Sequence, residues 1–169
     1  MSNIFLVFSI YFFNIVQLHP GQAIFQGAGV PHAYLEGQNI ELMSNSDNVL
    51  RGGLTPKHID VPELLKHILF EGIVPQIMNG EKNGAETIYH CPVPDFEVSK
   101  IELDKKVIYH YTASSAEIIL LTEGEAHIIC NEQTLHIKKG EAVIAGANEL
   151  YNISSSSRAV LYKAGVATR

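Results

Sequence analysis

The stretch His19–Lys57 reads HPGQAIFQGAGVPHAYLEGQNIELMSNSDNVLRGGLTPK and sets a histidine and several charged residues among closely spaced glycines. Gly21, after His-Pro, can adopt a positive φ and turn the chain. Ala23 to Phe25 then have the composition of a short buried strand, and the next two glycines, in QGAG, predict a second turn. This arrangement is expected to direct the side chain of His32 toward the interior of the fold.

The spacing resembles the second metal-binding motif of the cupin β-barrels, G-x5-P-x-G-x2-H. Gly21 is its first glycine, Gly27 stands where proline is usual, Gly29 is its second glycine and His32 is its histidine. The resemblance implies that His32 occupies a metal-ligand position, and a neutral imidazole suits Zn²⁺. The alternative is a hydrogen-bonded histidine with a structural role.

The same stretch resembles the corresponding part of the type I phosphomannose isomerases, also called mannose-6-phosphate isomerases. The similarity lies in PHAYLEG at 31–37, in IELMSNSDNVLRGGLTPK at 40–57 and in DVPELL at 60–65. It implies an aldose–ketose isomerase that interconverts mannose 6-phosphate and fructose 6-phosphate through an enediol, with Zn²⁺ as a Lewis acid. The implied ligand is therefore a phosphosugar substrate.

An internal repeat indicates the architecture. HPGQAIFQGAGVPHAY, from His19, aligns with KKGEAVIAGANELYNI, from Lys138, at an offset of 119 residues. In this alignment Tyr151 falls where His32 stands, so we expect the second copy to keep the fold without a metal. The predicted fold is mainly β, with two cupin-like barrel units. Strands are predicted in the second unit at 116–121, 126–130, 135–137, 142–145 and 159–162, with turns at 123–124 and 131–132.

The repeat also predicts that the first unit is incomplete. Strand-like sequence fills 96–139 before the second glycine turn, whereas only residues 1–20 precede the first. In the resembled family the other metal ligands are a Gln-x-His pair and a Glu from earlier strands, and residues 1–18 contain neither His nor Glu. We therefore expect a counterpart of the family's C-terminal part that binds zinc poorly and is complemented by an N-terminal segment.

Three segments are predicted: residues 1–54 as part of the catalytic unit, 55–86 as a helix and connector, and 87–169 as the metal-free unit. A helix is predicted within 55–71 because Asp60 can cap it, Pro62 suits a first turn and an apolar stripe follows. The aromatic and aliphatic residues from Tyr11 to Leu18 predict a strand.

Glu41 is the candidate general base. Ile40 and Leu42 flank it, so strand alternation predicts that its carboxylate points into the barrel. By the family resemblance, Glu41 lies in or beside the role of shuttling a proton between C1 and C2 of the open-chain sugar. The alternative is a surface glutamate on an edge strand.

Arg51 is a second candidate catalytic residue, with a planar donor fork for substrate oxygens or phosphate that Asp47 would orient. The alternative is a simple ion pair between Asp47 and Arg51 that closes the loop. Lys57, after Thr-Pro, is a candidate phosphate contact, and Tyr34 should lie on the same side as His32 and offer its phenol to the sugar. Both also fit purely structural roles.

Composition excludes several classes of function. The formal net charge of −6 argues against nucleic-acid binding. The apolar run from Ile4 to Phe13 is shorter than the roughly 20 residues of a membrane span, so no membrane partner is expected. Cys91 and Cys130 form no C-x-x-C pattern and are predicted to be reduced thiols, which suits the cytoplasm.

Two classes of function therefore remain. The first is the phosphosugar isomerase, with its missing ligands supplied elsewhere. The second is a non-catalytic cupin fragment with a sugar-binding surface or a structural role. The metal content of the purified chain discriminates between them.

Overall fold

The structure, a computed structural model, describes residues 11–46, 48–52 and 55–167. It divides into two compact units. The first comprises described residues within 1–39 and 45–77, and the second comprises residues 40–44 together with those from Met78 onward. Strands predominate, which confirms the prediction of a mainly β chain.

The first unit contains helix α1, Val61–His67. It begins where predicted, because the Asp60 carboxylate accepts a hydrogen bond from the backbone N–H of Glu63 at 3.0 Å and caps the first turn. The helix is shorter than the predicted range 55–71. It ends because Leu69 donates its N–H to the carbonyl of Gly29, at 2.9 Å, instead of continuing the helical ladder.

Two short strands lie in the first unit or at its boundary, since Met78 already belongs to the second unit. Strand β1, Ala23–Ile24, pairs with β2, Ile77–Met78. The strand predicted from Tyr11 to Leu18 is not formed. Tyr11 and Phe12 instead lie in a turn, with side chains 76% and 82% exposed. A strand needs a partner to satisfy its backbone groups, and composition alone does not supply one.

The second unit consists of two antiparallel sheets. Its ten strands are β3 (Glu81–Asn83), β4 (Glu86–Tyr89), β5 (Glu97–Leu103), β6 (Ile108–Thr112), β7 (Glu117–Glu123), β8 (Glu125–Cys130), β9 (Gln133–Lys138), β10 (Ala142–Ala145), β11 (Leu150–Ser154) and β12 (Ala159–Gly165). One sheet has the order β10-β7-β12-β5-β4-β3 and the other β6-β11-β8-β9. All five strands predicted for this unit are therefore present.

Both sheets contribute to one hydrophobic core. Its fully buried members include Ile101, Ile119 and Leu161 from the first sheet and Ile153 from the second. Each such side chain stabilises the fold by about 1.5–3 kcal/mol relative to an exposed one. The alternation of buried and exposed residues along the strands fixes their register, because a slip by one residue would turn these side chains to the outside.

The two glycine turns of the internal repeat have the same local structure. Gly21 has φ 89° and Gly140 has φ 90°. In each turn a backbone N–H bonds the carbonyl three residues earlier, from Gln22 to His19 and from Glu141 to Lys138, both at 2.9 Å. The side chains of Gln22 and Glu141 also accept a hydrogen bond from the same two backbone partners, at 2.9 and 2.7 Å.

The correspondence continues into the second turn of each copy. Val30 donates to the carbonyl of Gly27, and 119 residues later Glu149 donates to that of Gly146. Between them, Gly29 and Asn148 both have positive φ, 78° and 67°. The repeat therefore preserves backbone geometry at the predicted offset.

Strands β3 and β10 form the two edges of the larger sheet. The β3 edge is polar, since its residues are Glu, Lys and Asn and all are exposed. The β10 edge is apolar, and Ile144, opposite Ile118 on β7, is 77% exposed. Within the ranges given above, no helix is long and apolar enough to cross a membrane.

Candidate functional site

His32 and Tyr34 form a contact pair just after the first glycine repeat. Their rings meet edge to face with centroids 5.9 Å apart. The Nδ1 atom of His32 lies 3.0 Å from the carbonyl oxygen of Val30. With Nδ1 as the donor, Nε2 keeps the lone pair that an imidazole uses to bind a metal. Both side chains are exposed.

Arg51 and Lys57 lie together on an open groove of about 380 Å³ in the first unit. The groove is also lined by Val49, Leu50, His58 and Asp60. The Asp60 carboxylate caps helix α1, and no ion pair of Arg51 or Lys57 occurs among the described residues. Two cations against one engaged carboxylate make the groove suitable for an anion.

The remaining candidates are Glu41 and Asp47. Glu41 is exposed and lies in the segment 40–44, which belongs to the second unit. Asp47 lies outside the described residues, so its ion pair with Arg51 stays a prediction. The structure thus brings the candidates together in two pairs, His32 with Tyr34 and Arg51 with Lys57. Their joint membership of one sugar site, with Glu41, also stays a prediction.

The described residues do not fit a zinc site. Over the ranges 11–46, 48–52 and 55–167, no group of three or more His, Cys, Asp or Glu side chains could hold a metal ion. A catalytic zinc takes three protein ligands and keeps one position open. His32 alone cannot hold the ion, and we assign no reaction step of this chain to a metal.

The interior of the second unit contains a charged cluster. Lys163 and Glu86 are both buried, with Nζ 2.8 Å from the carboxylate. Tyr109 accepts a hydrogen bond from Lys163 at 2.9 Å and donates one to Glu86 at 2.7 Å, while Ser99 also donates to Glu86. Burial alone would raise the pKa of Glu86, but hydrogen bonds from Lys163, Ser99 and Tyr109 lower that pKa below its ordinary value.

Tyr151 occupies the repeat position that corresponds to His32, and it is buried in the core. Its hydroxyl donates to the buried carboxylate of Glu117 at 2.9 Å. Burial, with the neighbouring charge of Glu117, raises the pKa of the Tyr151 phenol far above its ordinary value. Tyr151 therefore stays neutral and acts as a hydrogen-bond donor within the second unit.

Comparison with known proteins identifies the fold and the relatives of this chain. Residues 85–161 match the family model "Mannose-6-phosphate isomerase, cupin domain". The mannose-6-phosphate isomerase of Escherichia coli (strain K12) is 43% identical over 145 residues, which cover 85% of this chain and 37% of that protein. Over most of its length this chain is similar to the mannose-6-phosphate isomerases. The human mannose-6-phosphate isomerase is 37% identical, and the match covers 84% of this chain and 36% of that protein. The cupin-domain match confirms the predicted cupin-like fold.

A solved mannose 6-phosphate isomerase from Salmonella typhimurium, bound to its substrate fructose 6-phosphate and a zinc atom, superposes with a TM-score of 0.62. It is 39% identical, and the match covers 75% of this chain and 32% of that one. The chain thus spans little more than a third of the length of the curated mannose-6-phosphate isomerases it matches.

Structures of the Salmonella enzyme also include two alanine variants that bear on the candidate residues. One replaces a histidine and another an arginine, 19 positions apart in that protein, and both are 38% identical to this chain with a TM-score of 0.61. His32 and Arg51 have the same separation, 19 positions.

No motif singles out Glu86, Glu117 or Lys163 in the sequence. Strand alternation nevertheless gives a signal for Lys163 and Glu117. Lys163 follows Ala159 and Leu161 at alternate positions of β12, so the period of two places its side chain inside with theirs. Glu117 precedes Ile119 and Leu121 at alternate positions of β7, so the same period places its side chain inside with theirs. A charged residue at an inward position is costly unless it is paired or used.

Proposed function

We propose that this chain contributes the phosphosugar-binding part of a mannose-6-phosphate isomerase, an aldose–ketose isomerase that interconverts mannose 6-phosphate and fructose 6-phosphate. The observation behind this proposal is the groove that Arg51 and Lys57 line, where two cationic side chains lack a described ion-pair partner. A sugar phosphate bears a dianion that such a pair recognises by charge-assisted hydrogen bonds.

Separate roles follow for the candidate residues. Arg51 offers a planar donor fork and Lys57 a point charge, so we assign both to substrate oxygens. Tyr34 offers a phenol beside His32, and Asp47 orients Arg51. Glu41 takes a proton from one of the two reacting carbons and returns it to the other. His32 is a metal-ligand position whose partner ligands come from an N-terminal complementing segment.

The relatives support this assignment. The Salmonella structure binds fructose 6-phosphate, and the histidine and arginine altered in that enzyme have the separation of His32 and Arg51. A zinc atom is also bound in that structure, whereas the described residues here lack a zinc site.

Calorimetric titration with fructose 6-phosphate and with fructose tests the binding role. We expect Arg51→Gln and Lys57→Gln each to weaken fructose 6-phosphate binding about 10- to 100-fold, since a hydrogen bond to a charged group contributes about 1.5–3 kcal/mol. Arg158→Gln and Lys105→Gln, at exposed positions of the second unit, serve as matched controls and should leave binding unchanged. Equal affinity for the two sugars would contradict the proposal.

The lack of a zinc site among the described residues favours a second candidate, a non-catalytic sugar-phosphate binder. A coupled isomerase assay with added zinc separates the two functions. Binding of fructose 6-phosphate without turnover, both alone and with an N-terminal segment of the Escherichia coli relative, would establish the second candidate.

A further inference from the structure

Glu117, inside the second unit, is a buried carboxylate that has no ion-pair partner among the described residues. Only 3% of the surface of Glu117 is exposed. One oxygen, Oε2, accepts the hydroxyl of Tyr151, and no ion pair of Glu117 occurs in the described part of the chain. A buried carboxylate is costly when it is not paired. The hydrogen bond from one neutral phenol offsets only part of this cost.

Glu117 lines a small cavity, and its second oxygen lies beside Gly165, another lining residue. This atom, Oε1, accepts no hydrogen bond from a described residue, yet it is not sealed from solvent. The cavity has a volume of about 50 Å³ and is lined by Glu86, Ile88, Glu97, Val98, Ser99, Tyr111, Ser114, Glu117, Lys163, Gly165 and Val166. One water needs roughly 10–15 Å³ of such volume, so the space suits a ligand of only a few heavy atoms.

The charges that line the cavity do not balance. Three carboxylates, Glu86, Glu97 and Glu117, face a single cation, Lys163. Lys163 is already engaged by Glu86 and Tyr109, and its Nζ lies 3.3 Å from the centroid of the Tyr111 ring. Glu97 contacts the exposed imidazole of His90 at 2.9 Å. Glu117 is the carboxylate that remains uncompensated.

We propose that the second unit binds a compact monovalent cation at Glu117, either a potassium or ammonium ion or the end of a small primary ammonium compound. The charge excess at Glu117 is that of one carboxylate, which one monovalent cation neutralises. A divalent ion would leave one positive charge in excess, and the described residues contain no metal-binding group of three acidic, His or Cys side chains. The site is independent of the phosphosugar groove, since all its residues belong to the second unit.

Thermal unfolding in different chloride salts tests the proposal. At equal ionic strength we expect potassium, ammonium or methylammonium to raise the unfolding temperature on the order of 5 °C above that in tetramethylammonium, when the cation is at about a hundred times its Kd. Tetramethylammonium has the same charge but is too large for the cavity. Comparison of the three small cations identifies the preferred one.

Two variants and one control make the test specific. Glu117→Gln removes the charge and keeps an acceptor for Tyr151, so it should abolish the difference between salts. Gly165→Ala keeps the charge, but its Cβ would lie 3.2 Å from Cγ of Glu117 and crowd the cavity, so it should reduce the effect. Glu123→Gln, at the exposed end of the same strand, should leave the salt effect intact.

The proposal fails if the small cations and tetramethylammonium give the same unfolding temperature, which would mean that the cavity holds only water. It also fails if Glu117→Gln or, should that variant not fold, Gly165→Ala responds to the small cations as strongly as the unaltered chain.

Discussion

Lys163 joins the two sheets of the second unit. It extends from β12 in the larger sheet to Tyr109 and Tyr111 on β6 in the smaller one, with Glu86 as its counter-ion. Removal of one partner leaves the other charge buried and unpaired, which costs about 3–5 kcal/mol, whereas replacement of both by apolar groups can be nearly neutral. The pair therefore makes stability depend on both residues together.

We predict that Lys163→Met lowers the free energy of unfolding by about 3–5 kcal/mol at neutral pH. The double variant Glu86→Leu/Lys163→Met should recover most of this loss, because no charge is then left unpaired. Urea unfolding monitored by circular dichroism measures both values. A double variant less stable than Lys163→Met would contradict the explanation.

The same pair predicts a pH dependence. The pKa of Glu86 lies below its ordinary value of 4.5 in the folded chain. Its contribution to stability is therefore fully present above pH 4.5 and is lost as the pH falls through the lower folded-state pKa. Urea unfolding at several acidic pH values should show this loss in the unaltered chain and a shallower one in Glu86→Gln. An equal pH dependence in both would assign the effect to other carboxylates.

At the element scale, the turn between β7 and β8 depends on a close backbone approach. Gly124 has φ 79°, and a Cβ atom built there would lie 2.3 Å from the carbonyl oxygen of Arg158. Gly140 has φ 90° but open space around it. The two glycines thus separate the cost of a positive φ from the cost of steric overlap.

We predict that Gly140→Ala destabilises the chain by about 1–2 kcal/mol, the cost of a left-handed alanine. Gly124→Ala should cost a further 1–3 kcal/mol or so, because the backbone of Arg158 must also move. Thermal or urea unfolding of the two variants provides the comparison. Equal destabilisation would show that the strand ends at Arg158 can shift freely.

Strands were predictable where residue pattern and turn signals agree. The predicted strand 142–145 coincides with β10, and the turn at Glu123-Gly124 contains the required positive φ. Strand β11 was missed, although the sequence from Leu150 to Ser154 alternates. Its inward residues, Tyr151 and Ile153, are separated by Asn and precede a serine run, so the polar composition obscured the period of two.

For the whole molecule, the fold and the resemblance to mannose-6-phosphate isomerases were predictable, but the site only in part. Glycine spacing is local, and it correctly indicated turns at Gly21 and Gly140. Convergence of Glu41 with Arg51 stays a prediction, because it depends on long-range geometry that no local pattern encodes. The cavity at Glu117 likewise depends on residues from five strands, and no pattern in one segment reveals it.

We predict that the purified chain contains little zinc. Because the described residues hold no group of three suitable ligands, we expect metal analysis after gel filtration to find zinc well below one equivalent per chain. The Escherichia coli mannose-6-phosphate isomerase, treated identically, is the control for zinc loss during handling. Co-expression with an N-terminal segment of that relative should raise the content, and one tightly bound zinc in the chain alone would refute the expectation.

The unequal edges of the larger sheet affect how the protein behaves when concentrated. The short, polar β3 edge resists pairing with another chain, because its charged side chains would have to lose water when a strand is added. The β10 edge presents unpaired backbone groups beside the exposed Ile144 and Ile118, which is the pattern of a template for intermolecular strand addition. Aggregation should therefore begin at β10. The substitution Ile144→Lys would place a charge on this edge and oppose strand addition during storage at high concentration.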